Sequence, residues 1–459
     1  MSRKRWVRLD NASNIFLAGR SSIDTKVFRL TAELKEVIKP EVLQQALDAT
    51  YDQYVLYHSV LRRGVFWYYL EESDLRPKVL PETKTPCTQI YHYDRRELLF
   101  RVMYRYNRVH LEVFHALSDG TGALWFFQDL LTEYLFLLHA KEQIEKTTQD
   151  ATSSDRMEEQ LENSFFRYFK QTRQPDFAKA AESALSTVKE ETKEEIEEEE
   201  VPDYSLKAFG KPVYHVKGEK TPDHRTHVME LTMPVKQVLD LAHANNASLT
   251  IYLSALFMEA VKKTAPQEEQ SEKIRLSLPV NLRQVFPSRS ARNFFTAIYL
   301  SYRFPSEKDT TIKEVCRSLQ NQLKSNLEKE QLQKRLHKLI SFELHPLIRG
   351  VIRPVKDWAL KLVNMLNNRQ ITIALSNLGK VTIPEPFDSY IQALYFHTSA
   401  VRPQCSVISF EDWLTVSFSS PFIETEIQEQ FVRLLTEKGV DITVSANKVV
   451  YEEIEGVFK

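Results

Sequence analysis

Read for period alone, the chain switches repeatedly between apolar residues at every second position and apolar residues every three to four. KVFRLTAELKEVI, Lys26 to Ile38, alternates in part and predicts a strand. KPEVLQQALDATYDQYVLY changes period: Val42, Leu43, Ala46 and Leu47 share a helical face, and Pro40 stands where a helix tolerates a missing N–H. LRRGVFWYYLEE and IYHYDRRELLFRVMYRYNRVHLEVF are rich in aromatic and branched residues and predict strands. A hairpin turn is expected at Asp94 and Arg95, and the last of these strands ends at Phe114. Beyond Gly122 the period is helical again. Leu124, Phe127, Leu130, Leu131, Tyr134, Leu135 and Leu138 lie on one face, with Gln128, Asp129 and Glu133 between them. His115 to Gly122 is therefore a strand-to-helix connection.

From about Ala140 to Ser205 the pattern is polar and holds the run KEETKEEIEEEE, Lys189 to Glu200. Such a run repels itself and predicts a solvated linker or a frayed helix. LENSFFRYFK, inside the same segment, is more apolar and is expected to dock locally.

Alternation then resumes. RTHVMELTM predicts a strand, PVKQVLDLAHANN a helix entered by proline, and SLTIYLSALFMEAVKKT a helix capped by Ser248. IRLSLPVNLRQVFPSRSARNFFTAIYLSYRF predicts two strands around a polar connection. Helical patterns cover Thr310 to Leu336 and Leu347 to Asn368. ITIALSN, YIQALYFHTSA and SVISFEDWLTVSFSS read as strands, the last turning at Asp412 before Leu414, Val416 and Phe418 alternate. TEIQEQFVRLLTEKG reads as a helix and VDITVSANKVVYEEI as a strand. The expectation is an α+β protein of two similar domains, residues 1–205 and 206–459, with the acidic crossover at about 140–205. At 459 residues the chain exceeds what one core usually serves, which agrees.

Composition narrows the function classes. Hydrophobic content of 42% and charged content of 27% are those of a soluble globular protein. A net charge of -1 gives no support to a nucleic-acid role. Cys87, Cys316 and Cys405 are few and scattered, which argues against a disulfide framework or a cysteine zinc site and for a reducing compartment. MSRKRWVRLDNASNIF is basic but lacks the apolar centre of a signal peptide, and the longest apolar run, Leu249 to Val261, is too short to span a bilayer. A cytoplasmic protein without a transmembrane segment is expected.

Glycine changes the picture more. There are only 10, roughly a third of average usage, so each marks a place where other residues fit badly. Gly120 and Gly122 flank the start of the helix that follows His115, and Gly379 closes LSNLG. A histidine at a strand end, held in one tautomer, is a competent general base near neutral pH. Asp119 can cap the helix or pair with a cation. The same two residues could also begin a metal site, but no third ligand stands nearby. A structural role is the alternative, and it is the default for His58, His92 and His110.

HALSDG fits H-x-x-x-D-G, and it is followed in order by PVNLR, RNFF and SNLG. With RLDNASNIF and LRRGVFWYYLEE, these stretches resemble the chloramphenicol-acetyltransferase-like superfamily, and most of all its bacterial alcohol-acetyltransferase-like branch. That superfamily also holds the condensation domains of nonribosomal peptide synthetases. The likeness runs from about Arg8 to Phe418. It implies two domains of similar topology, each a mixed sheet flanked by helices, with a tunnel between them and His115 at its centre. Many relatives carry a second histidine where this chain has Phe114, a departure that marks the branch.

The resemblance implies the roles. His115 is the general base, Asp119 pairs with an arginine to fix the loop, and Gly120 permits the turn. Arg62 is the expected partner of Asp119, with Arg63 next. Ser376, Asn377 and Asn293 are candidates for the oxyanion donor or the tunnel lining, and Arg283, Arg289 and Arg292 for holding the phosphates of a coenzyme A donor. The implied co-substrates are acyl-CoA and a small-molecule or lipid alcohol, with no resident cofactor, no metal and a monomer that is complete in itself. A donor on an acyl carrier protein, an amine or glycolipid acceptor, a non-catalytic binding member and an unrelated metal-dependent hydrolase are the alternatives.

Overall fold

The computed structural model describes residues 5–139, 159–169, 213–270, 272–305, 310–344 and 351–449. Its first half supplies strands β1 (Trp6–Arg8), β2 (Val27–Leu34), β3 (Ser59–Arg63), β4 (Tyr68–Glu72), β5 (Val79–Pro81), β6 (Phe100–Arg105) and β7 (Arg108–Phe114). Its second half supplies β8 (His227–Pro234), β9 (Lys273–Asn281), β10 (Phe295–Arg303), β11 (Ile373–Val381), β12 (Ile391–Thr398), β13 (Gln404–Phe410), β14 (Trp413–Ser420) and β15 (Thr443–Ala446). With the helices among them the architecture is α+β, as the alternating periods predict.

The strands form three sheets among the described residues: β12-β2-β7-β6-β5, β10-β9-β11-β13-β14-β8-β15, and a small β1-β4-β3. One strand crosses the expected domain line. β12 belongs to the second half of the chain but lies antiparallel along β2, pairing Thr398 with Phe28 and Leu394 with Ala32. The first core, built on the helices Pro40–Gln53 and Gly120–Leu138, accordingly takes in Leu394 and Phe396. The second core surrounds the helix Leu249–Thr264, apolar on nearly every side and buried along most of its length. Among the described residues no helix is long and apolar enough to cross a membrane.

Where the two large sheets meet, apolar packing gives way to paired charge. Glu230 on β8 accepts from His397 on β12 at 2.9 Å and from Arg108 on β7 at 2.9 Å. Burial alone would raise the Glu230 carboxyl, but His397 and Arg108 outweigh it and hold the group at about 2. Both halves therefore share a hydrogen-bonded ionic seam.

Several local expectations change. The hairpin turn falls at Tyr106 and Asn107 between β6 and β7, not at Asp94 and Arg95, which turn in a stretch without a paired strand. Tyr106 takes the left-handed conformation there, φ 51°, a residue type that gives no turn signal. The pattern from Thr310 divides into two helices, Ile312–Asn326 and Lys329–Leu344, and of the pattern from Leu347 to Asn368 the helix Arg353–Asn368 is described, residues 347–350 lying outside the described residues. Among the described residues the last strand spans Thr443–Ala446, and the part of its pattern from Val450 lies outside them. LENSFFRYFK does dock: Ser164–Phe169 is helical, and Phe165 packs with Leu282, Phe286 and Phe294. The acidic run Lys189 to Glu200 lies outside the described residues. The helix Asn11–Gly19, too short for its period to register, is opened by Asp10, whose carboxylate accepts from the Ser13 N–H.

Candidate active site

His115 stands one residue past the end of β7, and its N–H donates to the Lys26 carbonyl at 2.8 Å. Strand pairing thus fixes its backbone. Three aromatic rings fix its side chain: Phe16 stacks on the imidazole at 4.1 Å, Phe28 meets it edge-on at 5.0 Å, and Phe295 is tilted at 5.7 Å. The ring is closely surrounded, yet the residue keeps partial exposure. Burial pushes its pKa down to about 4, against the pull of Asp119 and Asn293, so the imidazole is neutral at physiological pH.

Asn293 decides which nitrogen carries the proton. Its Nδ2 donates both hydrogens, to the His115 carbonyl at 2.8 Å and to Ser13 Oγ at 3.0 Å. The His115 carbonyl can only accept, so the amide orientation follows, and Asn293 Oδ1 must face His115 Nδ1, 3.2 Å away. Nδ1 is therefore the protonated nitrogen, and Nε2 has its lone pair open to accept a proton. Ser13 in turn bonds Asp10 Oδ1 at 2.8 Å and the Ala116 carbonyl at 3.0 Å.

Asp119 works on the loop rather than on the histidine. Its Oδ1 caps the helix Gly120–Leu138 by accepting from the Gly122 N–H at 2.9 Å. Its Oδ2 accepts from Arg283 Nη1 at 2.7 Å and from the Phe294 N–H at 2.8 Å. Arg283 spends its remaining donors on the carbonyls of Ser290 and Arg292 and lies over the Trp125 ring. One carboxylate therefore ties the motif loop to the connection between β9 and β10. The approach is close enough to explain a glycine: a Cβ on Gly122 would lie 2.2 Å from the Ala291 carbonyl oxygen. At Gly120 a Cβ would meet only the movable end of the Leu378 side chain, at 2.7 Å.

Four expected assignments are corrected by this geometry. Arg62 is not the partner of Asp119. It points from β3 across its strand pair to Glu71 at 3.1 Å and is 46% exposed. Arg63 is also exposed and lies over Tyr93. Arg283 is buried in the Asp119 pair, so it cannot hold a phosphate at a tunnel mouth. Arg292, equally buried, bonds the Arg8 carbonyl at 2.7 Å and faces Asp10 at 3.5 Å. Of that trio only Arg289 is at the surface, 3.4 Å from Glu159. Asn293 has both amide hydrogens engaged, so of its two expected roles it does not take that of oxyanion donor, while its place against His115 agrees with the other, a residue lining the site.

SNLG does come to the motif loop. Leu378 meets Gly120, and Ser376, two residues earlier on β11, pairs with Ser406 on β13. Asn377 points away to Thr250 Oγ1 at 2.9 Å and accepts from the Gly379 N–H, holding a bulge between Asn377 and Lys380. Gly379 has φ 80°, which only glycine adopts freely. The aromatic box and the Asp10–Ser13 prop escaped the sequence reading. The spacing D-x-x-S in RLDNAS, a helix-capping signal, could have revealed the second. Among the described residues no group of three His, Cys, Asp or Glu side chains could hold a metal ion.

The fold and the family match together define the class: an acyltransferase of the chloramphenicol-acetyltransferase and condensation-domain fold. The alcohol acetyltransferase family model matches residues 105–428, and the chain belongs to that family. No curated protein matches the sequence. Solved structures match over nearly all of it. The trichothecene 15-O-acetyltransferase TRI3 of Fusarium sporotrichioides is 11% identical, with a TM-score of 0.60 over 95% of this chain and 94% of its own. TRI101 of F. sporotrichioides, crystallised with coenzyme A and T-2, is 9% identical, with a TM-score of 0.61 over 95% and 99%. The first condensation domain of the CDA synthetase is 15% identical, with a TM-score of 0.55 over 95% and 97%. At these identities the likeness is one of fold.

Proposed function

We propose that this chain moves an acyl group from a coenzyme A thioester to an alcohol hydroxyl, with His115 Nε2 as general base. The observation that carries the reading is the Asn293 amide, which leaves Nε2 as the open acceptor. His115 takes the hydroxyl proton as the oxygen attacks the thioester carbonyl. The carbon–sulfur bond then breaks, and His115 returns the proton to the leaving thiolate. No acyl-enzyme forms, and the proton that leaves the alcohol ends on the thiol. Such general-base assistance is worth ~10²–10⁴-fold. Charge on the tetrahedral oxygen needs a donor, for which Ser376 on β11, two residues before the Leu378 that meets Gly120, is the candidate. Both halves supply the site, so a monomer suffices. The coenzyme A complex of TRI101 supports the choice of donor by analogy of fold.

The test is free-thiol release from a panel of acyl-CoAs, with and without a panel of alcohols, for wild type and His115→Ala. Alcohol-dependent release that the variant loses supports the reading. Equal release by both proteins removes His115 from the chemistry, and turnover of carrier-protein thioesters alone moves the donor to a carrier protein.

A further inference from the structure

The helix Arg353–Asn368 is turned inside out. None of its residues is buried, although it is strongly amphipathic. Its polar side faces the protein. Arg353 Nη1 donates to the Gly64 carbonyl at 2.8 Å, Lys356 Nζ to the Phe66 carbonyl at 3.1 Å, and Asp357 accepts from the Tyr68 hydroxyl at 2.8 Å. Asn364 lies against Gly19. The opposite face, where Val355, Trp358, Leu362 and Val363 recur at helical spacing, is exposed. A water-facing helix normally shows the reverse arrangement.

The apolar face continues beyond the helix. Val65, Phe66 and Trp67 stand exposed on the turn between β3 and β4, to which the helix is bonded at the Val65 carbonyl. Of the chain's 5 tryptophans, two therefore sit here, with Trp358 68% and Trp67 41% exposed. The surrounding charge is mostly basic: Arg5, Arg63, Lys361 and Arg369 are exposed, while of the acidic groups Asp357 and Glu71 are each paired with an arginine and Glu72 accepts from the Arg5 N–H at 3.3 Å.

Exposed tryptophan beside an apolar stripe, rimmed by arginine and lysine, is the chemistry of an anionic lipid surface. We infer that this face docks on a membrane carrying acidic headgroups, with Trp358 and Leu362 entering the interface and the basic rim meeting the phosphates. The contact is peripheral, without a spanning helix. It also lies one helix from the base: Asn364 packs on Asn11–Gly19, which carries Phe16 against His115. The inference does not depend on the acyl donor or acceptor.

Flotation of the full chain with vesicles tests it, comparing phosphatidylcholine alone with phosphatidylcholine mixed with phosphatidylglycerol. Wild type is expected to float with the mixed vesicles, less so as salt rises. Trp358→Ser with Leu362→Ser should weaken flotation about tenfold or more. Lys361→Glu with Arg369→Glu, which leaves the apolar stripe intact, should weaken it too. Circular dichroism and unaltered acyl transfer to a soluble alcohol would establish that both variants are folded. No flotation of wild type, or equal flotation of the Trp358→Ser/Leu362→Ser protein, overturns the inference. A dimer that this double variant dissociates, without flotation, would assign the face to a second copy instead.

Discussion

The Asn293 side chain holds His115 at two points, accepting from Nδ1 at 3.2 Å while donating to the same residue's carbonyl at 2.8 Å. A side chain from the second half of the chain thereby sets which nitrogen of His115, carried by the first, holds the proton. Asn293→Ala leaves both tautomers open and should lower kcat about 10²-fold with little change in KM. Asn293→Asp, which restores an acceptor at Nδ1, should recover part of the loss. Steady-state kinetics on the best acyl-CoA and alcohol pair checks both.

The aromatic box makes a pH prediction. Burial holds the His115 imidazole down at about 4, so the base is lost only as pH falls through that range. The acid limb of kcat/KM should lie well below the 6.5 of an unperturbed histidine. Phe16→Ala admits water beside the ring and should move the limb upward. The same shift makes folding less favourable as pH falls from 6.5 toward 4, because the unfolded chain binds that proton more readily.

The Asp119–Arg283 pair is buried on both sides. Asp119→Ala or Arg283→Ala leaves one charge without its partner and should cost about 3–5 kcal/mol in denaturant unfolding. The double variant should cost less than the sum, which a double-mutant cycle measures. Arg62→Ala, at an exposed pair with Glu71, should change stability by less than about 1 kcal/mol.

Two neighbouring glycines should respond differently. Gly122→Ala drives a methyl group into the Ala291 carbonyl and should cost about 1–3 kcal/mol together with most of the activity. Gly120→Ala meets only the end of Leu378, which can rotate, and should be milder. Thermal melts and thiol release on both variants give the comparison.

The thiols should be silent. Burial raises all three: Cys316 to about 11, and Cys87 and Cys405 further still, with Glu112 adding to the effect at Cys87. Iodoacetamide should leave activity unchanged and label these cysteines only after unfolding, as intact-mass measurement would record.

The elements were largely legible in sequence because burial imposes its period on them. The helix after Gly122 and the strands β7, β8 and β14 follow their apolar residues closely. His115 was legible through its spacing to Asp119 and Gly120. What escaped was set by pairing across long separations. Asp119 reaches Arg283 rather than Arg62, and nothing in the order of residues ranks one surface-compatible arginine above another. Arg283 and Arg292 looked like solvent-facing cations because a loop of charged residues usually is one, yet backbone carbonyls absorb their donors, those of Ser290 and Arg292 in the same connection for Arg283 and that of Arg8 on β1 for Arg292. The rings around His115 come from three separate elements, β2, β10 and the helix Asn11–Gly19, so no local pattern collects them.

The crossing of β12 bears on how the protein is made. Until Thr398 has left the ribosome, β2 has no partner along one side and presents an open strand edge to its surroundings. A nascent or truncated chain ending in the acidic segment would carry His115 in a sheet with that flank unsealed, prone to pairing with other nascent chains. Completion of the first sheet waits until most of the chain is made, so His115 reaches its final setting only in a nearly finished chain.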